Sequence, residues 1–166
     1  MDFSLLEHSL YNNVMVLPDG TPAYHIDTPF KLFGSTTRIK KITSATSSDM
    51  AVIQLNGWDA SVVQVWGRDV CPYRANIFSA SESWIGVDGQ PYKWKQDMGD
   101  LYLVKNDGSH ALVATYDRGS IGFFSKARPP KLTINPEGLA IADEIVATFI
   151  YMAQKRERRR RRRNNL

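Results

Sequence analysis

The residue types that most often perform chemistry are few in this sequence and poorly spaced for a site. The three histidines, His8, His25 and His110, are far apart, and none belongs to an HExxH zinc motif. Cys71 is the only cysteine, which excludes an internal disulfide and a multi-cysteine metal site. The segment FGSTT at 33–37 lacks the lysine and the glycine spacing of a P-loop.

These gaps predict a protein that is not an enzyme, with no catalytic residues, no metal and no cofactor. Asp19, Asp88 and Asp107 each precede a glycine, and their turn role is favoured over calcium binding. Hydrolase or transferase activity is kept as an alternative, which requires Asp, Glu or His side chains to converge in a cleft.

A set of basic residues in the body of the chain gives the first positive indication. Arg38 and Lys40 share one face of a predicted strand, and Ile39 and Lys41 share the other. Cationic side chains on one surface hold phosphate oxygens by charge-assisted hydrogen bonds. The predicted head-group patch consists of Lys31, Arg38, Lys40, Lys41, Lys126, Arg128 and Lys131. The alternative is ordinary solvated charge that protects a sheet edge.

The basic C-terminal tail is the strongest charge feature. Eight of the 21 basic residues and one of the 17 acidic residues lie within 155–163, which leaves 13 basic and 16 acidic residues in 1–154. The net charge of +4 therefore combines a mildly acidic body with a strongly basic tail. The run consists of Arg158, Arg159, Arg160, Arg161, Arg162 and Arg163.

Four roles for this arginine run are open. It can contact anionic lipid, act as a nuclear localisation signal, bind nucleic acid without sequence preference, or keep the protein soluble. No aromatic residues alternate with the arginines, so base stacking is not indicated and nucleic acid is the weaker partner without being excluded. Mutual repulsion predicts that residues 157–166 are disordered.

A long helix must organise the chain that carries these charges. Asn135 is a suitable N-cap and Pro136 suits the first helical position, so the helix is predicted at 135–155. It is apolar on most of its circumference and must be enclosed by other parts of the protein. The uninterrupted apolar segment 145–153 is too short for a transmembrane helix. The predicted core residues are Leu139, Ile141, Ile145, Val146, Phe149, Ile150 and Met152.

Short runs of β-branched and aromatic residues precede the helix. Three pairs of runs flank the Asp-Gly turns and predict hairpins at 14–27, 83–95 and 101–116. Further strands are predicted at 36–43, 51–55, 61–66, 76–79, 121–125 and 131–134. About eleven strands with one apolar face, together with one enclosed helix, predict a closed antiparallel β-barrel around the helix. The alternative is a β-sandwich with the helix docked on one side.

Several segments in this order resemble a known family. They are TPFKLFGSTTRIKKI (28–42), WDASVVQVWGR (58–68), SWIGVDGQPYKWK (83–95), GSIGFFSKARPPKLTINPEGL (119–139) and DEIVATFIYMAQKRER (143–158). Together they resemble a family of small basidiomycete fungal proteins known as a domain of unknown function. That family is similar to the superfamily of tubby C-terminal-like domains, LURP-one-related proteins and phospholipid scramblases.

The resemblance implies a closed barrel of about twelve strands around a central hydrophobic helix. Tubby relatives bind phosphoinositide head groups through basic residues, whereas the cysteine-rich and calcium-associated segments of scramblases have no counterpart here. No functional residues can be transferred from the family.

Three segments and one function are therefore expected. Residues 1–12 are predicted to be poorly ordered, 13–156 to form the barrel with its helix at about 136–155, and 157–166 to be a disordered tail. The leading hypothesis is peripheral binding of anionic phospholipid or phosphoinositide head groups through the basic patch and the tail. The alternative is a protein-interaction or regulatory scaffold with a C-terminal nuclear localisation signal. A single cysteine and an N-terminus without a secretory signal favour the cytoplasm, with the nucleus as the alternative.

Overall fold

Twelve antiparallel strands form one sheet in the computed structural model of this chain. The structure describes residues 1–29, 35–56, 60–76, 79, 81–97, 100–120 and 127–164. The strands are β1 (Asp2–Leu5), β2 (Asn13–Val16), β3 (Pro22–Asp27), β4 (Ser35–Ile42), β5 (Ser47–Leu55), β6 (Val62–Val65), β7 (Arg68–Asp69), β8 (Glu82–Ile85), β9 (Pro91–Asp97), β10 (Asp100–Lys105), β11 (Leu112–Asp117) and β12 (Lys131–Ile134). A 3₁₀ helix at Pro136–Ile141 and the helix α1 at Ala142–Asn164 follow.

The sheet consists of two meanders joined by the first and the last strand. Its order is β7-β6-β5-β4-β3-β2-β1-β12-β11-β10-β9-β8, so β1 lies between β2 and β12. Phe3 and Leu5 point into the core from β1 and are fully buried. The expectation that residues 1–12 are poorly ordered is therefore wrong for the segment that holds β1, because its backbone pairs on both sides.

The three Asp-Gly hairpins are confirmed. They join β2 to β3, β8 to β9 and β10 to β11, and the glycines Gly20, Gly89 and Gly108 all have a positive φ. In each turn the aspartate side chain accepts a hydrogen bond from the backbone N–H two residues later. Such Asx turns fix the reversal locally, which is why the sequence signal was sufficient.

Other strand predictions have mixed outcomes. Strands lie close to the predicted bounds at 36–43, 51–55, 61–66 and 131–134, although β5 begins earlier, at Ser47. The predicted strand at 121–125 lies outside the described residues, as do residues 77 and 78 of the one predicted at 76–79. The two-residue strand β7 was not predicted.

The closed barrel is a wrong prediction, because the sheet stays open between its end strands β7 and β8. β7 has only two residues, and Pro72, which has no N–H to donate, follows soon after. Within the described residues one isolated bridge, Tyr73 with Ser83, spans this seam. The Arg68 guanidinium also spans it, donating to the Ile85 and Gly86 carbonyl oxygens at 2.7 and 3.2 Å.

Even as an open sheet, the strands surround much of α1. Eleven consecutive helical residues, Glu144–Gln154, are buried. Phe149 packs against Trp94 of β9 and Tyr116 of β11, and Gln154 accepts a hydrogen bond from Thr37 of β4. No helix formed by the described residues is long and apolar enough to span a bilayer.

The start of the helical region differs from the prediction. The Asn135 side chain makes no capping hydrogen bond and instead donates to the Leu112 carbonyl oxygen at 2.9 Å. The first turns are 3₁₀, and Gly138 approaches β11, β12 and α1 so closely that an added Cβ would lie 2.7 Å from Val113 Cγ1. This path leaves Leu139 45% exposed, so its assignment to the core is wrong. The other predicted core residues of the helix are buried: Ile141, Ile145, Val146, Phe149, Ile150 and Met152.

The arginine run is the last correction to the fold. α1 continues to Asn164, so residues 157–164 are helical rather than a disordered tail. Neighbouring groups offset the repulsion, since Arg161 pairs with Glu157 one turn earlier and Arg158 donates to the Leu55 carbonyl oxygen at 2.8 Å. Cations are also favoured at a helix C-terminus.

Candidate anion-binding site

Among the described residues, the basic patch predicted on the body of the chain is not assembled as one surface. Arg38 and Lys40 are exposed on β4, where Asp27 and Asp49 are their cross-strand neighbours. Opposite charges at such positions stabilise a sheet, which accounts for this pair without a ligand. Lys31 and Lys126 lie outside the described residues.

The remaining patch residues are engaged elsewhere. Lys41 points toward the N-terminal end of α1 and pairs with Asp143 at 2.9 Å. Arg128 pairs with Asp117 at 3.2 Å and Lys131 with Asp2 at 2.7 Å. β12 is four strand positions away from β4, about 19 Å at the usual strand spacing.

Instead, the structure gathers basic residues around the C-terminal half of α1. Arg156, Arg159 and Arg163 recur at the i, i+3 and i+7 spacing that places side chains on one helix face. With Arg162 and with Gln96 of β9 they line an open cleft of about 470 Å³, called here the arginine cleft. Four of the five residues of this lining are cationic and none is acidic.

The base of the arginine cleft is fixed by a buried carboxylate. Glu82 of β8 is 1% exposed and pairs with Lys155 at 2.9 Å, Arg74 at 3.2 Å and Arg159 at 3.8 Å. Lys155 also donates to the Tyr151 hydroxyl at 2.6 Å. These contacts hold the last buried turn of α1 against β8 and direct the arginines that follow.

The arginines of the cleft lie in an unfavourable electrostatic environment. Burial, together with the nearby Arg118, lowers the pKa of Arg156 below its ordinary value. Burial and the nearby Arg74 lower the pKa of Arg159, and the attraction of Glu82 does not fully offset them. Both guanidinium groups stay charged at neutral pH, so a bound anion would offset the repulsion that Arg156 receives from Arg118 and Arg159 from Arg74.

Arg160 and Arg161 complete the run but are not part of the cleft lining. The Arg161 guanidinium is 5.7 Å from the Tyr11 ring centroid and pairs with Glu157. Arg160 is exposed and lies close enough to Arg156 to add to the repulsion there. The run is therefore divided into cleft residues and residues that face elsewhere.

The donor set of the arginine cleft suits a phosphate group. Guanidinium groups donate several hydrogen bonds in a planar arrangement and accept none, which matches the oxygens of a phosphate. Within the part of the chain that the structure describes, no group of three or more His, Cys, Asp or Glu could hold a metal ion. The cleft is suited to binding anions.

Sequence reasoning found the arginines of this site but missed their partners. Arg156, Gln96, Glu82 and Arg74 were not considered as site residues. Extending the i, i+3, i+7 pattern of the helix through the arginine run would have placed Arg156 with Arg159 and Arg163. Glu82 gave no signal, because its role depends on the packing of β8 against the last buried turn of α1.

Comparison with known proteins adds a family but no function. No curated protein and no solved structure matches the chain. A family model described as a family of unknown function, DUF6593, matches residues 8–158. The match spans the sheet from β2 onward, the buried part of α1 and the first residues of the arginine cleft.

Proposed function

The chain belongs to the DUF6593 family of unknown function, and from its own surface we propose that it is a non-enzymatic module that binds the phosphate head groups of anionic phospholipids or phosphoinositides. The arginine cleft is the proposed site. The protein would act at the cytoplasmic surface of a membrane as a peripheral component. The observation that carries the proposal is the convergence of four arginine side chains on one cleft.

The electrostatics of the cleft support an anionic ligand of high charge. A basic residue near an anionic membrane surface contributes about 1 kcal/mol. Four cleft arginines would then strengthen association by about a thousandfold, since about 1.4 kcal/mol corresponds to a factor of ten. The exposed arginines outside the cleft add a less specific attraction of the same sign.

A wider kinship is part of this proposal. We propose that the family is fungal and is a distant relative of the tubby C-terminal-like and LURP-one-related proteins and the phospholipid scramblases. The support is the sequence resemblance given above, together with phosphoinositide binding among the tubby relatives. This kinship is a weaker argument than the cleft, because the sheet of this chain is open and because kinship alone does not establish a shared function.

Vesicle co-sedimentation of the full chain tests the proposal. Phosphatidylcholine vesicles are compared with vesicles that also contain phosphatidylserine or a phosphatidylinositol bisphosphate. The double variant Arg162→Gln/Arg163→Gln removes two cleft charges, and Arg160→Gln/Arg161→Gln removes the same charge outside the cleft. We expect binding to anionic vesicles only, and a loss of about thirtyfold for the cleft variant at about 1 kcal/mol per residue.

Three outcomes count against the proposal. Equal binding to neutral and anionic vesicles would eliminate head-group recognition. Equal losses for the two double variants would show that the cleft has no role of its own and that net charge alone drives association. Nuclear accumulation of the fluorescently labelled full chain, without membrane association, would favour the scaffold with a nuclear localisation signal.

A further inference from the structure

A second cleft lies at the opposite end of α1 and has a different character. Its volume is about 380 Å³, within the range of small-molecule sites. The residues that define it are Lys41, Trp66, Arg68, Val87, Leu139 and the helix residue Asp143. At 1.5 Å per residue, Asp143 and Arg159 are about 24 Å apart along the helix, so the two clefts are separate sites.

Three large apolar side chains form the rim of this second cleft. Trp66 is 55% exposed, Val87 63% and Leu139 45%. They come from three different segments: the β6–β7 turn, the loop after β8 and the 3₁₀ helix. Single exposed apolar residues are common, but three that converge on one cavity form a surface that an apolar ligand can cover.

Trp66 is held in this exposed position by its surroundings. Its φ is +50° and that of Gly67 is +81°, as a type I′ hairpin turn requires, although Asn or Asp is the usual residue at the first position. The indole Nε1 donates to Asp143 Oδ2 at 2.9 Å. The ring is therefore fixed beside the cleft rather than free to rotate.

The two carboxylates in the floor already have their hydrogen bonds. Asp143 accepts from the Tyr24 hydroxyl at 2.7 Å and from Trp66, in addition to Lys41. Glu144 accepts from Arg68 at 2.6 Å, from the Val87 backbone N–H at 3.1 Å and from the Trp84 indole at 3.4 Å. Both acids receive neutral donors as well as a cation.

This arrangement leaves donors without acceptors in the cleft. Lys41 uses two of its three N–H bonds on Asp143. Arg68 uses its two terminal nitrogens on Glu144, Ile85 and Gly86. Among the described residues, Arg68 forms no hydrogen bond through Nε. The Lys41 and Arg68 side chains are 40% and 39% exposed, so these donors are accessible. An anionic group of a ligand can accept hydrogen bonds from these donors.

We propose that this second cleft binds a monoanionic carboxylate with an apolar body, with the carboxylate on Lys41 and Arg68 and the body against Trp66, Val87 and Leu139. Asp143 and Glu144 neutralise much of the cationic charge, which favours a single negative charge over a dianionic phosphate. The ligand is either a free arylalkyl acid or the C-terminal carboxylate of a peptide that ends in a large apolar residue.

Isothermal titration calorimetry on the full chain tests this site. The probes are 4-phenylbutyrate and a short peptide with a free C-terminal phenylalanine, each compared with its neutral amide. We expect one acid to bind and its amide to bind at least tenfold more weakly, and the acid that binds identifies the source of the carboxylate. Lys41→Gln should weaken binding at least tenfold, whereas Lys40→Gln, on the opposite face of β4, should not.

A second variant keeps the test valid if Lys41→Gln does not fold. Leu139→Asp changes an exposed rim residue and places a negative charge at the mouth of the cleft, so it should abolish binding of the acid while the protein stays folded. Failure of both acids to bind, equal affinity for acid and amide, or equal losses for the two lysine variants would overturn the proposal. None of these results depends on vesicle binding at the arginine cleft.

Discussion

The balance of acidic and basic side chains differs between the two ends of α1. At the N-terminal end, Asp143 and Glu144 each receive one cation and two neutral donors. At the C-terminal end, the buried carboxylate of Glu82 pairs with three cations, those of Arg74, Lys155 and Arg159. The first end is a balanced polar network, whereas the second keeps an excess of positive charge.

This difference suggests how stability and binding are divided along the helix. A largely buried carboxylate that is paired with a cation and has its hydrogen bonds satisfied specifies a geometry without attracting highly charged ligands. A cationic excess lowers stability by self-repulsion but strengthens attraction for anions. We therefore infer that the cationic excess at the C-terminal end of α1 lowers the stability of the fold but favours anion binding. Glu82 limits the loss of stability.

The largest expected effect is the removal of the Glu82 charge. Because this carboxylate is buried and faces three cations, Glu82→Gln should lower the free energy of unfolding by about 3 kcal/mol. Glu144→Gln should cost less, about 2 kcal/mol, since it leaves a single cation unpaired. Urea denaturation of both variants measures the difference.

Salt provides the control for this prediction. Added salt should reduce the deficit of Glu82→Gln, because it screens the repulsion among cations that are partly exposed. Glu137→Gln, at an exposed position in the 3₁₀ helix, should change the free energy of unfolding by less than about 0.5 kcal/mol. A larger loss for Glu144→Gln than for Glu82→Gln would reverse the contrast between the two ends.

A smaller effect is expected at Asp143, and it should depend on pH. Burial alone would raise the pKa of this carboxyl group, but hydrogen bonds from Lys41, Trp66 and Tyr24 outweigh burial and lower it. A carboxyl group with a lowered pKa in the folded state contributes stability above its unfolded value, about 3.9. That contribution is lost as the pH falls through the pKa of the folded state.

Asp143→Asn should therefore lower the free energy of unfolding by about 1–2 kcal/mol at neutral pH. Below about pH 4 the difference from the unmodified protein should shrink, because the carboxyl group of the unfolded chain takes up its proton first, and it should disappear as the pH falls through the lowered pKa of the folded state. Chemical denaturation across this pH range measures the trend, with Asp49→Asn, at an exposed position of β5, as the control. A constant difference at all pH values would rule out the proposed titration.

Local signals in the sequence predicted the elements that depend on local contacts. The Asp-Gly hairpins follow from side chains such as Asp19 that bond two residues onward, and the burial of Ile145 and Phe149 follows from helical periodicity. β1 was missed because its pairing with β12 joins residues more than 120 positions apart. The open seam was missed for the same kind of reason, since it depends on how β7 and β8 meet in space.

The candidate sites were less predictable than the fold. Repulsion within the arginine run was estimated without Glu82 or the Leu55 carbonyl oxygen, which help to hold the helix. The strand pattern placed Lys41 and Lys40 on opposite faces of β4, but it gave no sign that Lys41 pairs with Asp143 of α1. Contacts between distant strands decide both cases, and a single sequence does not encode them in any local pattern.

The smallest expected effect on stability lies at Trp66 and separates stability from binding at the N-terminal end. Trp66→Asn places a residue that tolerates positive φ at the turn, which should raise the free energy of unfolding by about 1 kcal/mol. The variant also loses the indole hydrogen bond to Asp143, which should lower the free energy of unfolding by about 1 kcal/mol. The free energy of unfolding should therefore change by less than about 0.5 kcal/mol. Binding of the apolar carboxylate should nevertheless fall at least tenfold, because the largest apolar surface of the rim is lost. Equal thermal stability with weakened calorimetric binding is the expected result. A variant that binds normally would show that Trp66 is exposed for a reason unrelated to this cleft.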